Sequence, residues 1–304
     1  MPIYELQKIM SRNEHVNSNP LTFFEMDSDM KSKQFDYLLN MPLSSLTADK
    51  VESLVTEAEK TEQELNGIKK ATSIKPKAFY DRKDISLIES CNYNDHLEKL
   101  KECDWVIEVI AERLDWKKDL YNKITPFIKD QIVTSNTSGI SLAELSEDMD
   151  ESLKKNFFIT HFFNPPRYLK LFEIIPGPNC KDEVIEFLKL FGEKFLGKTS
   201  VLAKDTPAFI GNRVGIFSIQ SLFHSVKDLD LTIEEVDKLS GPVIGRPKSA
   251  TFRTVDVVGL DTLVHVANGI RENCPKDERL KLFELPEFIT TMMENKWLGT
   301  KTKQ

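Results

Sequence analysis

The spacing of hydrophobic positions changes along this chain, and each change predicts a different kind of element. Between 48 and 70, "ADKVESLVTEAEKTEQELNGIKK" sets Val51, Leu54, Val55, Ala58, Leu65 and Ile68 on one stripe at helical spacing, with Thr47 as N-cap. Such a stripe serves packing more often than chemistry. Residues 1–32 show little periodicity, and "SRNEHVNSNP" reads as loop. From 71 onward, strands alternate with amphipathic helices. The strand "DWVIEVI" is followed by helix "LDWKKDLYNKITPFI", strand "QIVTSN" and helix "LAELSEDM". Strands "FFITHFF" and "LKLFEIIP", helix "KDEVIEFLKLFGEKF" and strand "KTSVLAK" complete the series. This alternation predicts an α/β fold with a mostly parallel, doubly wound sheet. After "KDTP" the pattern is helical to the end, beginning with "AFIGNRVGIFSIQSLFHSV", and Pro207 is expected in the first turn behind Asp205 and Thr206. The chain therefore divides into a helical N-terminal segment (1–66), an α/β domain (67–202) and an all-α domain (203–304).

Composition narrows the class. The 304 residues, 40% hydrophobic and 29% charged, suit a globular protein with room for two cores. A formal net charge of −7 argues against a general nucleic-acid surface, so no nucleic-acid partner is expected. Cys91, Cys103, Cys180 and Cys274 are far apart and form no CxxC pair, which indicates neither a metal site nor a disulfide framework and fits a reducing compartment. No apolar run approaches a membrane span, and "MPIYELQKIM" lacks a secretory core, so a cytoplasmic location without membrane association is the expectation.

Candidate chemistry gathers around "HFFNPPRYLKLFE". Pro165 and Pro166 cannot sit in a central ladder and so mark a connection between two strands. His161 and Glu173 are equidistant from Arg167, so a simple doubling back sets them opposite each other. An imidazole beside a carboxylate suits a general base; a satisfied histidine at a strand end is the structural alternative. Ligands of open α/β sheets collect beyond the carboxyl ends of strands, where Glu112 and the cluster "SNTSG" (Ser135 to Gly139) fall. That cluster fits a tight loop beside a ligand or an ordinary turn and N-cap. Asn212 is a polar residue in a mostly apolar helix, at a reactive or simply an exposed position.

Four ordered motifs, "SNTSG", "HFFNPPRYLKLFEIIPG", "KDTPAFIGNRVG" and "GPVIGRPKSATFRTVDVVGLDT", resemble the bacterial-type 3-hydroxyacyl-CoA dehydrogenases, including those fused to an enoyl-CoA hydratase. The resemblance covers about 67 to 304. It implies a Rossmann-like domain followed by an all-α domain, and oxidation of a (3S)-hydroxyacyl-CoA with NAD as hydride acceptor in fatty acid β-oxidation. By motif, His161 takes the hydroxyl proton, Glu173 orients the imidazole, and Ser138 and Asn212 hydrogen-bond the reacting oxygen. Glu112, Lys117, Asn164 and Lys301 match cofactor contacts. The implied partners are an acyl-CoA substrate and either a second copy, as a homodimer, or a larger β-oxidation polypeptide.

The resemblance is incomplete at its start. The family opens with a strand, a G-x-G-x-x-G turn and a helix, where backbone meets the cofactor pyrophosphate. Here the first glycine is Gly67 and the next is Gly139, so the sheet is read as an incomplete Rossmann-like one. In the order 3-2-1-4-5-6 the missing first strand is central, which would leave "DWVIEVI" at an edge. Within residues 33–66, "FDYLLNMPLSSLTADKVESLVTEAEKTEQEL" weakly resembles a helical segment of eukaryotic type II DNA topoisomerases, without a catalytic tyrosine. The alternative function is a non-catalytic acyl-CoA-binding or dimerising remnant of the dehydrogenase family.

Overall fold

A computed structural model describes residues 21–24 and 82–302. The helix expected at 48–70, with Thr47 as its cap, lies outside the described residues. The chain divides into two compact units, the first taking in residues to Val106 with Asp119–Gln131, the second Ile107–Lys118 with Ile132–Gln304.

In the first unit, β1 (Leu21–Phe24) pairs in parallel with β2 (Ile88–Cys91), Leu21 opposite Ile88 and Phe24 opposite Cys91. β1 falls in a stretch read as lacking periodicity; four residues are too few to display an alternation. The 3-10 turn Leu97–Glu102 buries Leu100, whose carbonyl accepts from the Gln131 side chain at 3.1 Å.

A five-stranded sheet runs in the order β3 (Trp105–Glu108), β4 (Ile132–Ser135), β5 (Phe157–Phe162), β6 (Leu171–Pro176) and β7 (Thr199–Leu202). β4 and β5 are parallel, as are β6 and β7, while β5 and β6 are antiparallel. The sheet is thus mostly parallel with one hairpin. Among the described residues β3 ends the strand order, with Ile107 40% exposed, as expected for an edge. β5 and β6 are buried on both faces, which explains their near-continuous apolar runs: Phe157, Phe158, Ile159, Phe172, Ile174 and Ile175 are at most 1% exposed.

Helices flank these strands. α1 (Leu114–Ile124) follows β3 and stops where Pro126 enters a 3-10 turn. After β4 comes α2 (Leu142–Ser146), whose Ser141 and Glu144 form a reciprocal capping box, and then α3 (Glu151–Lys154), capped by Asp150. α4 (Asp182–Lys194) joins β6 to β7.

The C-terminal region is helical: α5 (Gly211–Leu229), α6 (Ile233–Leu239), α7 (Phe252–Val258), α8 (Leu260–Asn273) and α9 (Glu287–Glu294). Its core joins Ile216 and Phe223 of α5 to Val255, Leu263, Ala267, Ile270, Phe283 and Ile289. The fold class is therefore α/β followed by an all-α region. One expectation is corrected here. Pro207 does not open the helix; α5 starts at Gly211, behind a turn in which Ala208 and Phe209 take φ of 62° and 46°. The Asp205 carboxylate instead accepts from Leu142 N–H (2.8 Å) and Ala143 N–H (3.0 Å), capping α2. No helix among the described residues is long and apolar enough to cross a membrane.

Candidate active site

The β5–β6 ladder pairs Phe158 with Pro176, Thr160 with Ile174 and His161 with Glu173. Each pair is symmetric about Arg167, so the register has the arms that the two prolines imply. His161 Nδ1 lies 2.7 Å from Glu173 Oε2, and both side chains are buried. Glu173 Oε1 accepts from the backbone N–H of Ile210 (2.9 Å) and of Gly211 (2.7 Å) at the start of α5. The left-handed turn at Ala208 and Phe209 precedes these two amides; backbone conformations rare for such side chains recur where geometry is demanded elsewhere. A Cβ on Gly211 would stand 2.5 Å from Phe163 Cζ, so any side chain here would have to displace that ring. Phe163 and Phe209 flank the imidazole, with ring centroids at 4.4 and 5.8 Å. With Nδ1–H facing a carboxylate, Nε2 carries the lone pair of the neutral ring and is available as a base. Asn212 is half-buried in the first turn of α5, next to Gly211.

A second cluster sits beyond β3 and β4. Glu112 Oε1 accepts from the Thr137 hydroxyl (2.5 Å), Ser138 N–H (2.9 Å) and Gly139 N–H (2.8 Å). Burial alone would push the Glu112 carboxyl up, but these three donors and the Lys117 ammonium outweigh it and hold its pKa below the ordinary carboxylate value. Lys117, 1% exposed, places Nζ 2.8 and 2.9 Å from the two carboxylate oxygens of Glu108 and 3.6 Å from Glu112 Oε2. Asn136 Oδ1 accepts from Phe162 N–H at 2.9 Å, joining the "SNTSG" loop to the end of β5, one residue past His161.

The candidate residues thus fall into two groups, His161, Glu173 and Asn212 in one and Glu112, Lys117 and Ser138 in the other. Asn164 is exposed two residues beyond β5, and Lys301 closes the 3-10 turn Gly299–Lys301, its side chain lying outside the described part. Sequence reasoning missed Glu108. The available signal was a carboxylate inside the apolar run "WVIEVI": a buried charge requires a partner, and Lys117 lies nine residues on.

Together, a mostly parallel α/β sheet, an imidazole–carboxylate pair and a carboxylate-anchored loop at strand carboxyl ends define a dehydrogenase-like class. Solved structures share the fold: FadB2 of M. tuberculosis (TM-score 0.67, 23% identity, 83% of this chain and 86% of that one) and (S)-3-hydroxybutyryl-CoA dehydrogenase PaaH1 from Ralstonia eutropha (TM-score 0.65, 23% identity, 85% and 86%). Residues 44–206 match the 3-hydroxyacyl-CoA dehydrogenase NAD binding domain and 209–304 the C-terminal domain of the same family. The chain belongs to the 3-hydroxyacyl-CoA dehydrogenase family. It is 45% identical over 238 residues to the "Probable 3-hydroxyacyl-CoA dehydrogenase" of Bacillus subtilis, covering 78% of this chain and 30% of that protein. Against the Deinococcus radiodurans protein of the same name it is 42% identical over 237 residues, covering 78% and 68%. The family match begins at 44, upstream of the 67 read from motifs, and the topoisomerase likeness of 33–66 finds no support.

Proposed function

We propose that this chain is an NAD-dependent 3-hydroxyacyl-CoA dehydrogenase, oxidising a (3S)-hydroxyacyl-CoA to the 3-oxoacyl-CoA. The observation that carries the reading is His161 held by Glu173 at 2.7 Å, with a carboxylate fixed in turn by two amides of α5. His161 Nε2 takes the proton of the substrate C3 hydroxyl. Glu173 keeps the imidazole in the tautomer that can accept it and then faces the resulting cation. Ser138 and Asn212 donate to the reacting oxygen and fix its position.

NAD, when bound, supplies the acceptor for the hydride that leaves C3. The residues present suit its nicotinamide end. Glu112 has Oε1 filled by three donors, while among the described residues Oε2 meets only the buried Lys117 ammonium, at 3.6 Å; the Glu112 side chain is partly exposed, so an acceptor edge remains for a ribose hydroxyl. Asn164 and Lys301 extend that contact, and Lys117, being buried, acts through Glu112. The twelve glycines nowhere fall in G-x-G-x-x-G spacing, so the pyrophosphate lacks the family's backbone cradle and NAD affinity is expected to be weak.

The α/β domain 67–202 would carry the cofactor contacts other than Lys301, and 203–304 the acyl-CoA contacts and a dimer face. Membership of a larger β-oxidation assembly is supported by relatives such as the "Fatty acid oxidation complex subunit alpha" of Psychrobacter arcticus, 34% identical over 214 residues. A cytoplasmic setting suits four free cysteines. The deciding assay follows NADH formation from NAD and a (3S)-hydroxyacyl-CoA, and NADH consumption with a 3-oxoacyl-CoA. Turnover in both directions is expected; acyl-CoA binding without turnover at saturating NAD would favour the non-catalytic remnant instead.

A further inference from the structure

We infer that Glu108 is a positioning residue that holds the Lys117 ammonium back from Glu112, so that Glu112 keeps one carboxylate edge open; this rests on the dehydrogenase reading above. Glu108 lies in β3, 3% exposed, and its side-chain oxygens are both engaged. Oε1 accepts from Lys117 Nζ (2.8 Å) and Ile110 N–H (2.6 Å); Oε2 accepts from Lys117 Nζ (2.9 Å) and the Ser135 hydroxyl (2.6 Å). Its main-chain carbonyl takes Asn136 N–H at 2.8 Å. One residue thus ties the carboxyl ends of β3 and β4 together, the place where the "SNTSG" loop departs.

Two carboxylates compete for a single buried ammonium. Lys117 contacts Glu108 directly and the Ile110 carbonyl at 3.3 Å, while Glu112 Oε2 stands off at 3.6 Å, beyond hydrogen-bond reach. A buried ammonium must be neutralised, and it moves to whichever carboxylate remains. Without the Glu108 charge, Lys117 would close on Glu112 Oε2. That is the acceptor edge left after Thr137, Ser138 and Gly139 have filled Oε1. Glu108 therefore governs ligand access at Glu112 through Lys117.

The test titrates NADH into the whole chain by calorimetry and follows the Glu112 side-chain carboxyl by carbon NMR across acid pH. Glu108→Gln should weaken NADH by about tenfold or more, as for one lost hydrogen bond to a charged group. In the same variant, direct contact with Lys117 should make Glu112 titrate at distinctly lower pH than in the wild type. Glu108→Asp, one methylene shorter and so drawn back from the ammonium, serves if the glutamine variant does not fold; it should move NADH affinity and the Glu112 titration in the same directions by less, about threefold in affinity. Leu188→Ala, in the sheet-facing core of α4, controls for lost stability and should leave NADH affinity unchanged. NADH affinity like that of the wild type in either variant would overturn the inference. So would Glu108→Gln titrating at Glu112 like wild type. A wild-type chain that binds no NADH would overturn the dehydrogenase reading, and the carboxyl titration would still decide the role of Glu108.

Discussion

His161 and Glu173 face each other across an antiparallel ladder, Nδ1 to Oε2 at 2.7 Å, while the other oxygen of Glu173 receives Ile210 and Gly211 N–H. Those two amides fix which way a side chain at 173 can point. In Glu173→Gln the amide oxygen is kept by the α5 donors, and the NH₂ turns toward Nδ1. Nδ1 must then accept, which moves the ring proton to Nε2 and removes the base. Nitrogen NMR of the imidazole should report Nδ1–H in the wild type and Nε2–H in Glu173→Gln. The same tautomer in both would show that Glu173 does not set it.

Two glycines of α5 should respond oppositely to alanine. At Gly211 the new methyl meets Phe163 Cζ at 2.5 Å and Leu171 Cδ2 at 2.9 Å, whereas at Gly215 no atom of the described residues beyond its own stretch of helix lies within 4 Å. Gly211→Ala should cost roughly 1–3 kcal/mol as overpacking and lower turnover by displacing the amides that hold Glu173. Gly215→Ala should gain about 0.5–1 kcal/mol from reduced backbone entropy in the unfolded chain. Denaturant melts of the two variants check both signs.

Gln220 is fully buried in α5, one turn from Ile216 and from Phe223, and neither side-chain polar atom has a hydrogen-bond partner among the described residues. Replacing an unsatisfied buried amide by a chain of similar shape removes its desolvation penalty, so Gln220→Met should stabilise by about 1–3 kcal/mol. Thermal unfolding checks it; a destabilised variant would reveal a partner lost with the amide.

Glu112 should contribute to acid stability. Its pKa in the fold lies below its ordinary 4.5, with burial opposing and the Thr137, Gly139, Ser138 and Lys117 interactions prevailing. A lowered folded pKa means stability that is present above the unfolded value and lost as pH falls through the folded one. Glu112→Gln should therefore show a shallower loss of stability below about pH 4.5. Equal acid limbs in urea melts of the two proteins would contradict this.

The hairpin was legible in the sequence because Pro165 and Pro166 can only be a connection and the flanking runs have equal arms. The start of α5 was not. Asp205, Thr206 and Pro207 have the chemistry of a helix opening, but Asp205 spends its carboxylate on α2, 62 and 63 residues earlier in the chain. Local capping rules cannot see a competing helix end that far away. Glu108 is hidden in the sequence because a single charge inside an apolar run leaves the strand pattern intact, and its partner lies nine residues on, in the next helix. β1 and β2 escaped because "LTFF" and "IESC" are too short to establish alternation.

A double-mutant cycle in turnover at His161 and Glu173 bears most directly on the proposed mechanism. His161→Gln should lower NADH formation by roughly 10²–10⁴-fold, the usual yield of a positioned acid–base group. Adding Glu173→Gln should cost little more, because both changes remove the same base. A His161→Gln enzyme as fast as wild type, or losses that multiply independently in the double variant, would contradict a coupled catalytic pair.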